Sequence, residues 1–408
     1  MRRLPCITLL VSILGFSATH AQSVSAGGVD FNLSGHVYGF ADTSSGHDQQ
    51  LGGLEALRLY PKFDTTSQND IQFGMLADLR EGAGSGANIR AGQFYTRRLY
   101  AHIGTRDLGT IRIGTTDGAS AYDQVGTFDV GPAMFNDGGW NGIAHYMLTT
   151  AVNPAWPFAS SRFYYATNKI VYLSPRVDNF NINLSYEPDV YGANINDGGH
   201  YRADSNSDFA DAANITTNTP RRRNTLDGSA RFARAFGDIT TIATASYIVS
   251  GQTNSTNFQN IRYQGLNFGD IGASVSYAGI TVAGNLQHGI FNGSWQLSPA
   301  GATRSTAYSL GISYKIAQYR LGVSYFNYHS PGDYAQAALP TSIPGERREQ
   351  GISAGGSYQF SKNISLYIDY LFGQRDQTGY DFQTGLAGSA LSNHMHSQTL
   401  ALGGQVSW

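Results

Sequence analysis

The chain is 408 residues long, 41% hydrophobic but only 14% charged, with 49 glycines, 25 tyrosines, 21 phenylalanines and a formal net charge of −2. Average soluble domains carry roughly 25% charged residues, so this composition is atypical of a soluble enzyme. The charge balance leaves no basic surplus for nucleic acid, and the lone cysteine, Cys6, gives no disulfide framework and no thiolate-based metal site.

The first element is a leader. Arg2 and Arg3 precede a short apolar run from Ile7 to Phe16, and Thr19 and Ala21 flank His20 as small residues before Gln22. This is the layout of a secretory signal peptide over residues 1–21, with an apolar run too short to cross a bilayer. Cys6 falls within it, and the remainder of a twin-arginine motif is missing. Residues 22–408 then read as one domain without an apolar segment long enough for a membrane helix.

Short segments of alternating polarity follow. Leu57, Leu59 and Phe63 alternate with Arg58, Tyr60 and Lys62. In the next segment Ile71, Phe73, Met75, Ala77 and Leu79 fall opposite Gln72, Gly74, Asp78 and Arg80. Leu99, Ala101 and Ile103 alternate with Arg98, Tyr100 and His102; Phe180, Ile182, Leu184 and Tyr186 alternate with Asn181, Asn183, Ser185 and Glu187. Towards the end, Tyr308–Tyr314, Tyr319–Tyr325 and Ile364–Tyr370 repeat the pattern. A period of two means a strand with one apolar and one wet face. The apolar face often starts or stops on Tyr or Phe with aliphatics between. A lipid-facing strand needs aromatic ends at the two interfaces, whereas the dry core of a sandwich does not.

Tight connections at Phe236-Gly237-Asp238, Ala278-Gly279 and Phe360–Asn363 alternate with long ones at Pro188–Asn224, Gly251–Asn260, Gly289–Ser305, Ser330–Arg348 and Gly373–His396. About ten residues per strand leaves room for roughly sixteen strands. The predicted fold is therefore all-β: a transmembrane antiparallel β-barrel. In the last segment Leu400, Leu402, Gly404, Val406 and Trp408 share a face, which places the Trp408 ring at the membrane edge. This strand must pair with the first one to remove the open edge.

Other chemistries find thin support. His394-Met395-His396 places two imidazoles on one strand face without nearby cysteines, a weak metal motif. Asp376, Asp381 and His394 share one long connection, but no acid–base pair stands on a rigid strand, so neither catalysis nor a cofactor is expected. Arg221-Arg222-Arg223 reads as a lipopolysaccharide or subunit contact from its charge.

Three stretches carry a resemblance: Arg98–Gly114, Asn168–Pro175 with Phe180–Tyr186, and Tyr358–Tyr370. They are similar to the hairpins that flank the pore-constricting loop, and to the penultimate hairpin, of the general porins of Gram-negative bacteria. The resemblance spans residues 22–408, loosely over 188–310. It implies a sixteen-stranded outer-membrane barrel, a homotrimer in contact with lipid and lipopolysaccharide, and a third external loop folded inward from Gly114 to about Ser161. That loop carries Asp117, Asp123, Asp129 and Asp137, and the wall opposite is expected to present Arg58, Lys62, Arg98 and Arg112. A transverse field between acidic loop and basic wall would pass small hydrophilic solutes and hinder apolar ones. Trp140 and Trp156 in the loop, with Phe94, Tyr95 and His102 near the wall, depart from the pattern and leave open a channel selective for sugars or organic anions. A barrel hydrolase is the third reading.

Overall fold

The computed structural model describes residues 22–26, 28–45, 52–81, 94–125, 166–189, 220–256, 260–293, 295–332, 345–382 and 394–408. The expected leader and its cleavage site lie outside them. The first hairpins are β1 (Gln22–Ala26), β2 (Val29–Ser45), β3 (Gly52–Thr66), β4 (Gln72–Glu81), β5 (Phe94–Thr105) and β6 (Gly109–Thr116), after which a single-turn helix, α1 (Ala119–Asp123), turns inward. The middle of the chain supplies β7 (Thr167–Leu173), β8 (Phe180–Asp189), β9 (Arg223–Phe236), β10 (Ile239–Val249), β11 (Tyr263–Gln264), β12 (Asn267–Tyr277), β13 (Ile280–Ile290) and β14 (Ser298–Pro299). The last strands are β15 (Ser305–Ile316), β16 (Tyr319–Ser330), β17 (Arg347–Ser361), β18 (Ile364–Gln377) and β19 (His394–Ser407).

Sixteen strands close a ring, each antiparallel to the next, from β2 through β19, with β11 and β14 pairing only with each other and β19 pairing back onto β2. Closure removes both sheet edges, the condition for a sheet to sit in hydrocarbon. β1 takes up the rest of the β2 edge: it pairs with residues 29–33, just past the point where β19 ends opposite His36. Trp408 completes that seam by exchanging backbone hydrogen bonds of 3.0 and 3.1 Å with Gly35.

One rim carries only tight turns, such as those between β9 and β10, β12 and β13, and β15 and β16. Ala278 and Gly279 both hold positive φ, at 48° and 84°, as a two-residue hairpin turn matching strand twist requires. The other rim carries the long connections. Over the middle of the strands the outward side chains are apolar: Leu310 is 58% exposed, and Leu184, Ile312, Leu321 and Leu402 stand similarly bare. An apolar band encircling a whole barrel far exceeds the few-hundred-Å² patches that soluble monomers tolerate, so its solvent is lipid. Aromatic rings border the band, with Tyr319 against Tyr358 at 4.9 Å on one side and Tyr308 against Tyr325 at 6.0 Å on the other.

Two long connections, over residues 250–266 and 291–304, do not simply extend as polar external loops. They meet through the β11–β14 pair. Their Ile261, Tyr263, Leu266, Phe291, Trp295 and Leu297 pack with Ile248, Phe268, Phe326 and Tyr328 of the wall into a dry core. The core stands on the lumen side of β10, β12, β13, β15 and β16, where alternation alone predicts a wetted face. Apolar residues from both loops and wall bury each other there, and the gain from removing that area from water exceeds what solvation of the loops would give.

Candidate functional site

The charged groups of the lumen that reach solvent cluster on β2–β6, while others, such as Glu349 with Arg375, are fully buried. Alternation turns Arg58, Tyr60, Lys62 and Asp64 of β3, and Asp78 and Arg80 of β4, to the inside. Asp78 is fully buried and accepts two bonds from Arg80, at 2.9 and 3.0 Å. The β4–β5 pairing then slips: Asp78 stands opposite Arg98 but Leu79 opposite Thr96, so Arg97 is an extra residue on β5. A bulge of this kind re-aims side chains. Here it lets two consecutive arginines reach the same carboxylates. Arg97 lies 3.6 Å from Asp78 and donates to Asp117 at 3.3 Å, and Arg98 contacts Asp117 as well.

Aromatic rings hold two other cations flat. The Arg58 guanidinium sits 5.0 Å over the Tyr38 ring and donates to its hydroxyl at 3.0 Å. Arg112 is sandwiched between Tyr100 at 4.9 Å and Tyr122 at 4.8 Å. A planar guanidinium can stack on rings and keep its edge donors; Arg58 gives one of its own to Tyr38 and is buried, while Arg112 is half-buried. Nearer the tight-turn rim, Lys62 pairs with Asp64 at 2.6 Å and His102 meets the same carboxylate at 3.0 Å. The side chains of Lys62 and Arg98 are 44% and 27% exposed, the most open of these ion-paired cations.

The root of the inward loop is built into the wall. After Asp117, the Ala119 amide donates to Ser185 Oγ at 3.1 Å, and Ser120 binds Asp227 through its amide and, at 2.9 Å, its hydroxyl. Asp123 accepts from Asn181, Asn183 and Ser229 at 3.1, 2.7 and 2.6 Å. Two residues on, Asn285 of β13 donates to the Val125 carbonyl at 2.9 Å. Gly272 of β12 leaves room for it, since a Cβ there would stand 2.6 Å from that oxygen. In nine residues the chain thus crosses the inner faces of β7 to β13.

The expected site residues therefore separate. Arg58, Lys62, Arg98 and Arg112 share one inner wall. Asp117 does not face that wall across an opening. It touches Arg97 and Arg98, because the loop leaves β6 directly beside β5 and its first residue has no distance to span. Asp123 lies among neutral donors of β8 and β9, with Arg231 bonded to its carbonyl oxygen at 3.2 Å. Asp129, Asp137, Trp140 and Trp156 fall outside the described residues. Sequence reasoning missed Arg97, which strict alternation turns to lipid; only the bulge brings it inside. It also passed over Asp78 and Arg80, although both lay on the polar face of their strand.

Arg221, Arg222 and Arg223 are engaged internally, which corrects their reading as a lipid or subunit contact. Arg222 binds Glu187 at 2.8 Å and the Trp295 carbonyl at 2.8 Å, tying the inward connection to β8. Arg221 and Arg223 approach Asp189 at 2.5 and 3.9 Å. Glu187 also takes Lys169 at 3.3 Å and Thr225 at 2.9 Å, so this buried charge is paired on several sides. Among the described residues no group of three His, Cys, Asp or Glu side chains is arranged to hold a metal.

A family model described as Gram-negative porin matches residues 8–378. No curated protein sequence matches at a significant level. Among solved structures, the chain is similar to OmpF of Salmonella typhi in complex with daunomycin, with a TM-score of 0.57 and 15% identity over 95% of this chain and 100% of that one. It is similar to an anion-selective porin from Comamonas acidovorans, with a TM-score of 0.57 and 12% identity over 93% of this chain and 100% of that one. It is also similar to a loop-deletion mutant of OmpT, an outer membrane protein of Vibrio cholerae, with a TM-score of 0.53 and 11% identity over 93% and 100% of the two chains. At such identities the structural likeness concerns the fold. The family match, over most of the length of a closed sixteen-stranded barrel, carries the assignment: the chain belongs to the Gram-negative porin family.

Proposed function

We propose that this porin is a passive, anion-preferring diffusion channel for small hydrophilic solutes, exported by its residues 1–21 and assembled as a homotrimer among outer-membrane lipid and lipopolysaccharide. The carrying observation is the imbalance on the β2–β6 wall. Among the described residues, Arg58, Lys62, Arg80, Arg97, Arg98 and Arg112 stand there against Asp30, Asp64, Asp78 and Asp117. In a lumen walled by low-dielectric protein, such a surplus lowers the barrier for anions and raises it for cations. The ring-stacked Arg112 favours planar carboxylates within that class, since its edge presents paired donors. Transport of this kind uses no cofactor and changes no bond.

The test is a planar-bilayer recording across a salt gradient, beside a solute-swelling assay. The expected result is ohmic current with a reversal potential on the anion side, and efflux of solutes that emerge unaltered. A reversal potential on the cation side overturns the anion preference, and absence of conductance overturns the channel.

A further inference from the structure

Arg112 differs from the other cations of the β2–β6 wall. Lys62, Arg80, Arg97 and Arg98 each pair with a carboxylate, and Arg58 is buried against Tyr38. Arg112 is half-buried, takes no ion pair among the described residues, and has a buried Nε without an acceptor. Two rings hold it instead, Tyr100 of β5 and Tyr122 of α1.

The loop root sets where the second ring stands. A helix turns by about 100° per residue, so Tyr122 points about 200° round α1 from Ser120. Ser120 is bonded to Asp227 of β9, and Asp123 to Asn181 and Asn183 of β8 and Ser229 of β9. With its two neighbours tied to that side, the ring between them is turned back towards β6. Its hydroxyl shares a hydrogen bond of 2.7 Å with Thr116, the last residue of β6, and its centre lies 4.8 Å from the Arg112 guanidinium.

We propose that Tyr122 is a specificity-determining residue of the channel, which acts through Arg112 to make the wall prefer planar carboxylates to halides. The inference rests on the carboxylate preference assigned to Arg112 above and names the side chain that produces it. An unstacked guanidinium is open to an anion from any side. Rings on its faces leave the edge as the approach and keep that edge in one orientation. The paired N–H donors there match two coplanar oxygens. A halide is a single point of charge and gains as much from an ammonium or from a free guanidinium. Tyr122 is uncharged, so its effect falls on the choice among anions more than on the choice of anion over cation.

The test uses the full-length barrel in planar bilayers, with folding of every variant checked by heat-dependent gel mobility. Reversal potentials give three permeability ratios: acetate to chloride, methanesulfonate to chloride, and chloride to potassium. Y122L is expected to lower the acetate ratio by about threefold or more, and to lower the methanesulfonate ratio less, because a third oxygen out of the plane fits the edge poorly. Y122F keeps the ring and is expected to keep the parent acetate ratio. R112K keeps the charge without the planar edge and is expected to lose as much as Y122L. The double variant Y122L/R112K is then expected to lose no more than either single one, since the two side chains act as a unit. An unchanged acetate ratio in Y122L overturns the assignment, and additive losses in the double variant overturn action through Arg112. Equal losses for acetate and methanesulfonate overturn planar recognition, and a loss in Y122F equal to that in Y122L overturns the role of the ring. A chloride-to-potassium ratio that falls in step with the acetate ratio in Y122L traces the change to the shape of the wall and overturns specificity. The anion preference of the channel is read separately, from the parent's chloride-to-potassium ratio: a parent that favours potassium overturns that preference, while the Y122L acetate ratio still decides the role of Tyr122.

Discussion

The lumen has two unlike walls. On β2–β6 the inward positions hold long charged and aromatic side chains, several of them open to solvent. On β12–β16 the inward positions of the lower half are short, with Ser274, Ala283, Gly311, Ser313 and Gly322, until Lys315 and Arg320 at the tight-turn rim itself. Towards the other rim they become aromatic and covered, with Phe268, Phe326 and Tyr328 under Trp295. Both walls obey the same alternation and expose the same apolar face to lipid. Strand periodicity thus decides which side chains face inward, while the connections decide whether water reaches them.

The largest expected effect comes from undoing the covered side. Trp295 is 2% exposed, stands 5.5 Å from Phe268 and anchors Arg222 through its carbonyl oxygen. Trp295→Ala leaves a cavity that the loops cannot fill, and large-to-small changes of this size cost about 3–5 kcal/mol. The urea midpoint of the folded barrel is expected to fall, and single-channel conductance to rise as residues 291–304 loosen. A lower midpoint with unchanged conductance would separate the two walls: the core would then stabilise the barrel without narrowing it.

The charged side is addressed next. The double variant R98Q/R112Q removes one of the open cations and one that is stacked, and a several-fold loss of anion over cation permeability is expected from reversal potentials. Asp117→Asn works in the opposite direction with a smaller effect. It removes one carboxylate from Arg97 and Arg98 and leaves Asp78 to balance them. Anion preference is expected to increase. A shift towards cations in D117N would mean that the loop root moves when its anchor is lost, and that Asp117 holds the wall's shape more than its charge.

How far the sequence reaches follows from these residues. Leu310 and Ile312 announce their lipid face, and roughly sixteen strands follow from the lengths, because the bilayer imposes one period on every strand. The bulge at Arg97 has no such signature: any residue can be the extra one, and alternation read across it turns Arg97 the wrong way. The dry core around Trp295 was equally hidden. Half of it comes from connections whose glycines, serines and asparagines read as polar, and only the β11–β14 pairing lays their scattered apolar side chains over Ile248, Phe268, Phe326 and Tyr328 of the wall. Asp117 illustrates a third limit. Its loop was legible from its place after β6, but whether it faces a cation or touches it depends on a path that spacing does not encode.

The smallest expected effect belongs to Lys62, and it sharpens the comparison most finely. Lys62 is the more exposed of the two open cations, yet Asp64 sits 2.6 Å away and His102 shares that carboxylate. Near a solute the pair is close to a dipole, and an exposed pair of this kind contributes little. Salt screens it further, since the Debye length is about 8 Å at 0.15 M and about 30 Å at 0.01 M. Lys62→Gln is therefore expected to leave the reversal potential almost unmoved in concentrated salt and to shift it slightly towards cations in dilute salt. K62Q/D64N should then restore the parent value at both concentrations. A shift in K62Q as large as that of R98Q/R112Q would place the controlling charge near the tight-turn rim, below the bulge, and move the selectivity of the wall away from Arg97 and Arg98.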